Sequence, residues 1–429
     1  MTRKSWENLA LALLITFYIL QMGLYLFNTN ICQPLAFDYC AYWSAGKIIN
    51  QNSFADIYNL DLLTQYQKDI YIQNNDSDSI SFRPVEIPYL PIFVLPFKFL
   101  SMVGLSFSYV IWTLINFIGL ICYLRYFTKK VSSHPLPIRL LLMILLSLPV
   151  FINFHEGQLN VWLCICAGEF LRAILTDKPY KAGAWLGGWL LKPQLLIFII
   201  PFLLIKRSMK VLSGFIIATV VTLTISFGLI KKAGFINLIN ILLKSAGGGV
   251  TSIPLAMMNW RMLGEHIASF SSPIIGWAII IIGSVVTVTL SLTFFKKRIL
   301  QNPTRYAIAI LGIFAATGAV TWHAHLHMSM ILIPPMVFLL LKNEFNKRLF
   351  AVWAFMPSLM QIIGYIISAY IKIDNLPINI SPILGFARGF TGFILNLFIL
   401  CWAIVHYSRS NEGRPKGDDE NWSTKPYLT

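Results

Sequence analysis

The sequence predicts an all-α integral membrane protein. The expected architecture is a polytopic bundle of about ten to thirteen membrane segments, some short or broken, with a large first extracytoplasmic loop carrying interfacial helices. Three observations point there. Of 429 residues only 12% are charged and 56% are hydrophobic, with a mean hydropathy of +0.67; a soluble chain of this length carries about twice that charged fraction. Apolar runs of about 16 to 25 residues recur along the chain, the length that crosses a hydrocarbon core with every backbone group satisfied inside the helix. Lysine and arginine fall in short clusters between those runs, which is how a topology is written. The formal net charge of +16 is thereby a signal of topology and of contact with anionic lipid, and nucleic acid is not expected as a partner.

The first run, Leu9–Phe27, follows Arg3 and Lys4, exceeds a signal-peptide core and precedes no small-residue cleavage site, so it reads as a retained span. The loop Asn28–Glu86 follows. In it, Asp38 to Asn50 is helix-like, and Asp61 to Tyr71 sets Leu62, Leu63, Tyr66 and Ile70 apart from Gln65, Lys68 and Asp69, an amphipathic helix for the membrane surface. The remaining segments are Ile87–Leu100, Leu105–Phe127, Leu140–Phe154, Leu159–Leu175, Ala182–Leu191, Gln194–Ile205, Val211–Ile230, Pro273–Phe295, Tyr306–Val320, Met328–Leu341, Phe350–Ile371 and Leu384–Tyr407. If Ile87–Leu100 dips in and returns, and Ala182–Leu191 with Gln194–Ile205 is a pair broken at Lys192-Pro193, one side collects nearly all the cations. These are Lys129/Lys130/Arg139, Lys178/Lys181, Lys206/Arg207/Lys210, Lys296/Lys297/Arg298 and Lys347/Arg348. That side is the cytoplasm, with both termini and the charged tail 409–429; residues 1–408 form a single transmembrane domain. Lys231 and Lys232 depart from the pattern. An unbroken span Ala182–Ile205, with Ile87–Leu100 also crossing, is the other solution and would move only the middle loops.

Five polar stretches then share the outer side: the first loop, the turn His155–Asn160, the Lys192 break, the second outer loop 231–272 and Thr321–His327. Cys122, Cys164, Cys166 and Cys401 lie in apolar runs as packing residues. Cys32 and Cys40 share the first outer loop, either as a disulfide or as two thiols. Asp38 stands where the chain leaves the first span. A carboxylate there can act as a general base toward a hydroxyl, or can cap the helix it opens.

Several strings resemble glycosyltransferase family 87, the polyprenyl-phosphate-mannose-dependent mannosyltransferases of the C-type superfamily. They are Asp38…Tyr42…Gly46…Tyr58, Tyr89-Leu90-Pro91-Ile92-Phe93 with Pro96, Gly157-Gln158-Leu159-Asn160, Gly187…Lys192-Pro193, and His323-Ala324-His325-Leu326-His327. The resemblance covers about Trp6 to Pro335; the last two spans carry none of it. It implies a C-type-like helical bundle and an inverting transfer of a hexose, mannose by resemblance, from a polyprenyl-phosphate donor to a lipid-linked or glycan acceptor on the extracytoplasmic side. It also implies that Asp38 is the catalytic base. Such a reaction leaves a phosphate behind and calls for cations. The outer side offers Lys192, which can reach a cavity or snorkel to the interface, Arg261, which can clamp a phosphate or touch headgroups, and His323, His325 and His327. In a helix His323 and His327 would share a face and His325 would point elsewhere. Without a nearby carboxylate or cysteine the trio is a poor metal site, so neither metal nor cofactor is expected. Tyr42, Glu156, Gln158 and Asn160 are candidates for contacting sugar or acceptor, Glu156 alternatively meeting a helix dipole. Asp76-Ser77-Asp78 in a polar loop tip is rejected as a metal motif, and Glu169 with Arg172 reads as a structural pair. A transporter or flippase of lipid-linked saccharides is the alternative.

Overall fold

A computed structural model describes residues 3–26, 37–72, 84–132, 135–246, 256–296, 302–373 and 381–409. The described residues form seventeen α-helices and no sheet beyond one isolated antiparallel bridge between Met257 and His325. The first is α1 (Arg3–Leu26), followed by α2 (Phe37–Gln51), α3 (Leu60–Ile72) and α4 (Pro91–Leu100). The middle of the chain holds α5 (Leu105–Ser132), α6 (Ile138–Leu145), α7 (Leu148–His155), α8 (Asn160–Leu175), α9 (Pro179–Gly187) and α10 (Leu196–Ile205). Then come α11 (Met209–Ala246), α12 (Trp260–Phe270), α13 (Pro273–Ser291), α14 (Pro303–Val320), α15 (Ile333–Leu341), α16 (Lys347–Ile373) and α17 (Ser381–Arg409).

Proline sets many of the starts. It occupies the first turn of α4, α7, α9, α13, α14 and α15, where its missing N–H costs nothing. Asn259, Ser272 and Asn302 cap α12, α13 and α14 by accepting from backbone N–H groups two or three residues on. Among the described residues five helices are long and apolar enough to cross a membrane, α6 and α7 together form an apolar pair bent by 53°, either a broken span or a re-entrant loop, and four shorter apolar helices accompany them. This is the multi-pass, all-helical membrane protein expected.

The short segments are where backbone must turn. Helix α4 has ten residues, about 15 Å or half a hydrocarbon core, and packs against α2 of the first loop. The expected single segment Leu140–Phe154 is two helices, since Pro149 opens α7 after a turn at Leu146–Ser147. The expected broken pair is also found: α9 tightens into a 3₁₀ turn at Gly188–Leu191, Lys192 is non-helical, and a 3₁₀ turn at Pro193–Leu195 leads into α10. By contrast α11 does not stop at Ile230. After one non-helical residue, Lys231 (φ 54°, ψ −170°), it continues as helix to Ala246, so the expected second loop begins helical.

Close approach at the break depends on small residues. Gly183 and Gly187 on α9 face Gly214 and Ala218 on α11, and a Cβ on Gly183 would lie 1.9 Å from the Val211 carbonyl oxygen. This four-residue spacing of small side chains is the usual way two helices touch in lipid. At the centre, α14 has nearly every residue buried, against α10, α13, α15 and α17. The large apolar side chains of α5, α11 and α13, among them Phe107, Ile118, Ile217, Val220, Ile281 and Ile282, are exposed, a belt that lipid rather than water must cover.

Two smaller expectations are decided. Helix α3 buries Leu63 and Gln67, the latter exchanging two hydrogen bonds with the Val85 backbone, while Leu62, Tyr66 and Ile70 are half-buried and Gln65, Lys68 and Asp69 exposed. Cys40 is disulfide-bonded, whereas Cys122, Cys164, Cys166 and Cys401 are free; Cys32 lies outside the described residues.

Candidate active site

The site grows from one turn. Between α7 and α8 the chain reverses at Gly157, whose φ is +69°, a conformation for which glycine is suited. A Cβ there would sit 2.5 Å from the Tyr39 Cβ. Helix α2 is docked on this turn by the Tyr39 N–H, which donates to the Glu156 carbonyl at 3.1 Å. From the other side α5 holds it through Trp112 Nε1 to the Gly157 carbonyl (2.9 Å) and Tyr109 to the Phe154 carbonyl (2.7 Å).

This clamp brings Gln158 against Asp38. The Gln158 Nε2 donates to the Asp38 carboxylate, and its Oε1 accepts from Lys192 Nζ at 3.2 Å. Lys192, in the gap between the apolar helices rather than within one, also donates to Asn160 Oδ1 at 3.0 Å. Asn160 in turn donates to Asn153 Oδ1 at 3.1 Å. One amide thus spans an acid and an ammonium from segments far apart in sequence. Lys192, Gln158 and Asn160 are buried, so the snorkelling alternative for Lys192 does not apply. Asp38 is half-buried. One turn on, Tyr42 is buried with its hydroxyl 3.3 Å from that of Tyr89.

The electrostatics are those of charges held away from water. Burial pushes the Asp38 carboxyl up to about 7, with Glu156 raising it further and Gln158 and Lys192 opposing. Glu156 is raised by burial, against His155, Arg388 and Lys192. Lys192 is brought down to about 8 by burial, against the pull of Asp38 and Glu156.

The histidines approach from the opposite wall. Residues 321–325 are non-helical, a bend over 321–323 leading to the bridge at His325, and only from Leu326 does a 3₁₀ turn begin. The shared helix face of His323 and His327 is therefore replaced by a row of three rings, with centroids 4.8 Å and then 5.6 Å apart. The segment is held by Met258 N–H to the Ala324 carbonyl (2.7 Å) and Asn259 Nδ2 to the Thr321 carbonyl (2.7 Å). His327 Nδ1 lies 3.3 Å from Glu156 Oε2, tying this wall to the turn. Burial, then Lys192 and Arg261, holds His323 down at about 4. His325 is lower than the usual range by burial and its histidine neighbours. Both are neutral N–H donors at neutral pH, not cations.

The same segment carries Trp322, over whose ring the Arg261 guanidinium lies at 4.3 Å. Its Nε donates to Glu265 at 2.7 Å, while Nη1 is buried with no partner. All ten candidate residues thus gather at one end of the bundle. Two further residues belong with them. Tyr89 lay inside a string already singled out. Arg388 is near enough to Glu156 and His155 to act on their charge, and its Nε is buried without a partner; a lone arginine in an apolar run was the available signal. Glu169 and Arg172 form the expected buried pair, at 2.8 and 2.5 Å, away from the site. Asp76-Ser77-Asp78 lies outside the described residues. Among the described residues no three His, Cys, Asp or Glu side chains are placed to hold a metal together.

Residues 88–321 match the profile of Glycosyltransferase family 87, more than half of the 429 residues. The chain belongs to glycosyltransferase family 87. No curated protein and no solved structure matches it. The family 87 match contains the Gly157 turn, the Lys192 break and Arg261; Asp38 and Tyr42 precede it, and the histidine row and Arg388 follow it. In family 87 terms the protein is a membrane glycosyltransferase, and the fold completes its polar centre with groups from outside the matched stretch.

Proposed function

We propose that the protein transfers a hexose, mannose by family resemblance, from a polyprenyl-phosphate donor to a hydroxyl of a lipid-linked or glycan acceptor on the extracytoplasmic side, with inversion. The observation that carries this reading is the Gln158 bridge, which holds a carboxylate and an ammonium beside each other in a water-poor pocket.

The acceptor oxygen attacks the anomeric carbon, and its proton passes to Asp38. The bond from that carbon to the phosphate oxygen breaks, and the electron pair leaves with the polyprenyl phosphate. A base near 7 is matched to this task. Charge develops on the departing phosphate, where Lys192 and Arg261 supply cations and the histidine row supplies neutral N–H groups. The buried, partnerless Arg261 Nη1 supports that role. Gln158 and Asn160 already spend their amides on Asp38, Lys192 and Asn153; they orient the base and the cation. Tyr42, Tyr89 and Glu156 remain to contact sugar or acceptor. The donor's lipid tail and the surrounding bilayer are apolar partners. No step here calls on a metal or a nucleotide.

Family membership favours transfer over the transport of lipid-linked saccharides. The test is turnover of purified full-length protein with polyprenyl-phosphate mannose and a lipid acceptor. Asp38→Asn should lower it about 10² to 10⁴-fold, the usual contribution of a positioned base. Near-normal turnover would remove Asp38 from the mechanism, and lipid movement in sealed vesicles without a new glycosidic bond would favour the transporter.

A further inference from the structure

A second cationic place lies at the far end of α14 from the histidine row, about 27 Å away along an 18-residue helix. Arg305 is only 3% exposed there. Its Nε has no hydrogen-bond partner, and no carboxylate among the described residues pairs with it. The guanidinium lies 4.6 Å over the Tyr407 ring of α17. Lys206, at the end of α10, comes alongside: its Nζ donates to the Lys296 carbonyl and lies 5.6 Å from the Phe202 ring centre. That ring in turn meets Tyr306, whose hydroxyl is also buried without a partner. Lys206 is half-buried and held below the usual lysine range by burial and then by Arg305.

Two like charges side by side, one of them buried and unpaired, are costly unless an anion joins them. The first backbone N–H groups of α14 are already taken by the Asn302 side chain, so the demand comes from the side chains and not from the helix end. Both side chains stand where apolar helices begin or end, the depth of a headgroup. Basic pockets between helices at that depth are how membrane proteins take anionic lipids.

We propose that Arg305 and Lys206 bind the phosphate of an anionic phospholipid headgroup, in the leaflet opposite the Asp38 site. This binding is independent of the transfer reaction. The experiment is native mass spectrometry of the delipidated full chain in detergent, titrated separately with phosphatidylglycerol, phosphatidylcholine and inorganic phosphate. One phosphatidylglycerol should bind in preference to phosphatidylcholine. Lys206→Gln should weaken it roughly fivefold, the worth of one interfacial cation, and Arg305→Gln by about thirtyfold, as for a buried charge losing its partner. Lys206 is half-exposed, so its variant reports even where the Arg305 variant fails to fold. Equal binding of phosphatidylglycerol to wild type and Lys206→Gln would overturn the site. Inorganic phosphate displacing the lipid at equal concentration would overturn the headgroup assignment in favour of a free anion.

Discussion

In the proposed reaction, with Asp38 as base and Lys192 as the phosphate's cation, these two residues set the working range of the site. The base must be deprotonated, so transfer should rise as pH climbs through about 7. Lys192 must keep its proton to meet the phosphate, so transfer should fall above about 8. The rate profile is therefore a narrow bell. Its limbs can be moved by neighbours whose signs are known. Glu156 raises Asp38, so Glu156→Gln should shift the acidic limb to lower pH. Lys192 lowers Asp38, so Lys192→Met should shift that limb to higher pH and abolish the alkaline one. Because the two substitutions push in opposite directions, a general loss of fold cannot imitate the pair. An acidic limb that stays in place in both variants would mean that Asp38 is not the group seen.

At the level of elements, the turn at Gly157 aligns three of them: α2 through Tyr39, α5 through Trp112, and α8 through Asn160. Gly157→Ala places a methyl group 2.5 Å from the Tyr39 Cβ on a backbone with φ of +69°, so either α2 or the turn must shift. A displacement near 1 Å between catalytic groups costs up to about 10²-fold in rate, whereas the backbone strain alone costs stability by about 1 kcal/mol or somewhat more. The variant should purify as a folded monodisperse protein with a slightly lower Tm and a sharply lower kcat. Wild-type kcat would show that the clamp is not needed. Much of this layer was legible beforehand. Periodicity and proline placed α4, the Lys192 break and the spans, because those signals are local. The continuation of α11 past Lys231 was not, since two lysines after an apolar run read as an interface and only tertiary packing makes the helix resume. Nor was the partner of Gln158. Its contact with Asp38 joins positions 120 residues apart, and no spacing along the chain encodes it. The arrangement of the histidine row stays open in the sequence for a related reason: helical and non-helical backbone place the same five residues differently, and the pairing with Met257–Asn259 decides between them.

Over the whole molecule, the path of the chain separates two chemistries. Helix α5 starts beside the Asp38 site, where the Trp43 indole donates to the Val103 carbonyl, and ends at Lys129 and Lys130. Helix α8 leaves the site from Asn160 and reaches Lys178, from which α9 returns to Lys192. Helix α10 leaves again for Lys206, and α14 comes back from Arg305 to the histidines. Each excursion leaves cations at the far end, and the near end keeps both carboxylates that matter. A bilayer reads that asymmetry: cationic ends resist translocation and stay in the cytoplasm. On the proposed reading the Asp38 end is extracytoplasmic, where a donor presented on a polyprenyl phosphate would reach it from the outer leaflet. Added cysteines, each read against the labelling of the unsubstituted chain, whose described residues include four free thiols, test this without disturbing the core. Lys68 on α3 and Lys130 at the end of α5 are both exposed, so Lys68→Cys and Lys130→Cys should fold. A membrane-impermeant maleimide applied to intact cells should label Cys at position 68 and spare position 130 until the membrane is opened. The reverse pattern would place Asp38 in the cytoplasm, and with it the entire donor and acceptor assignment would have to turn over.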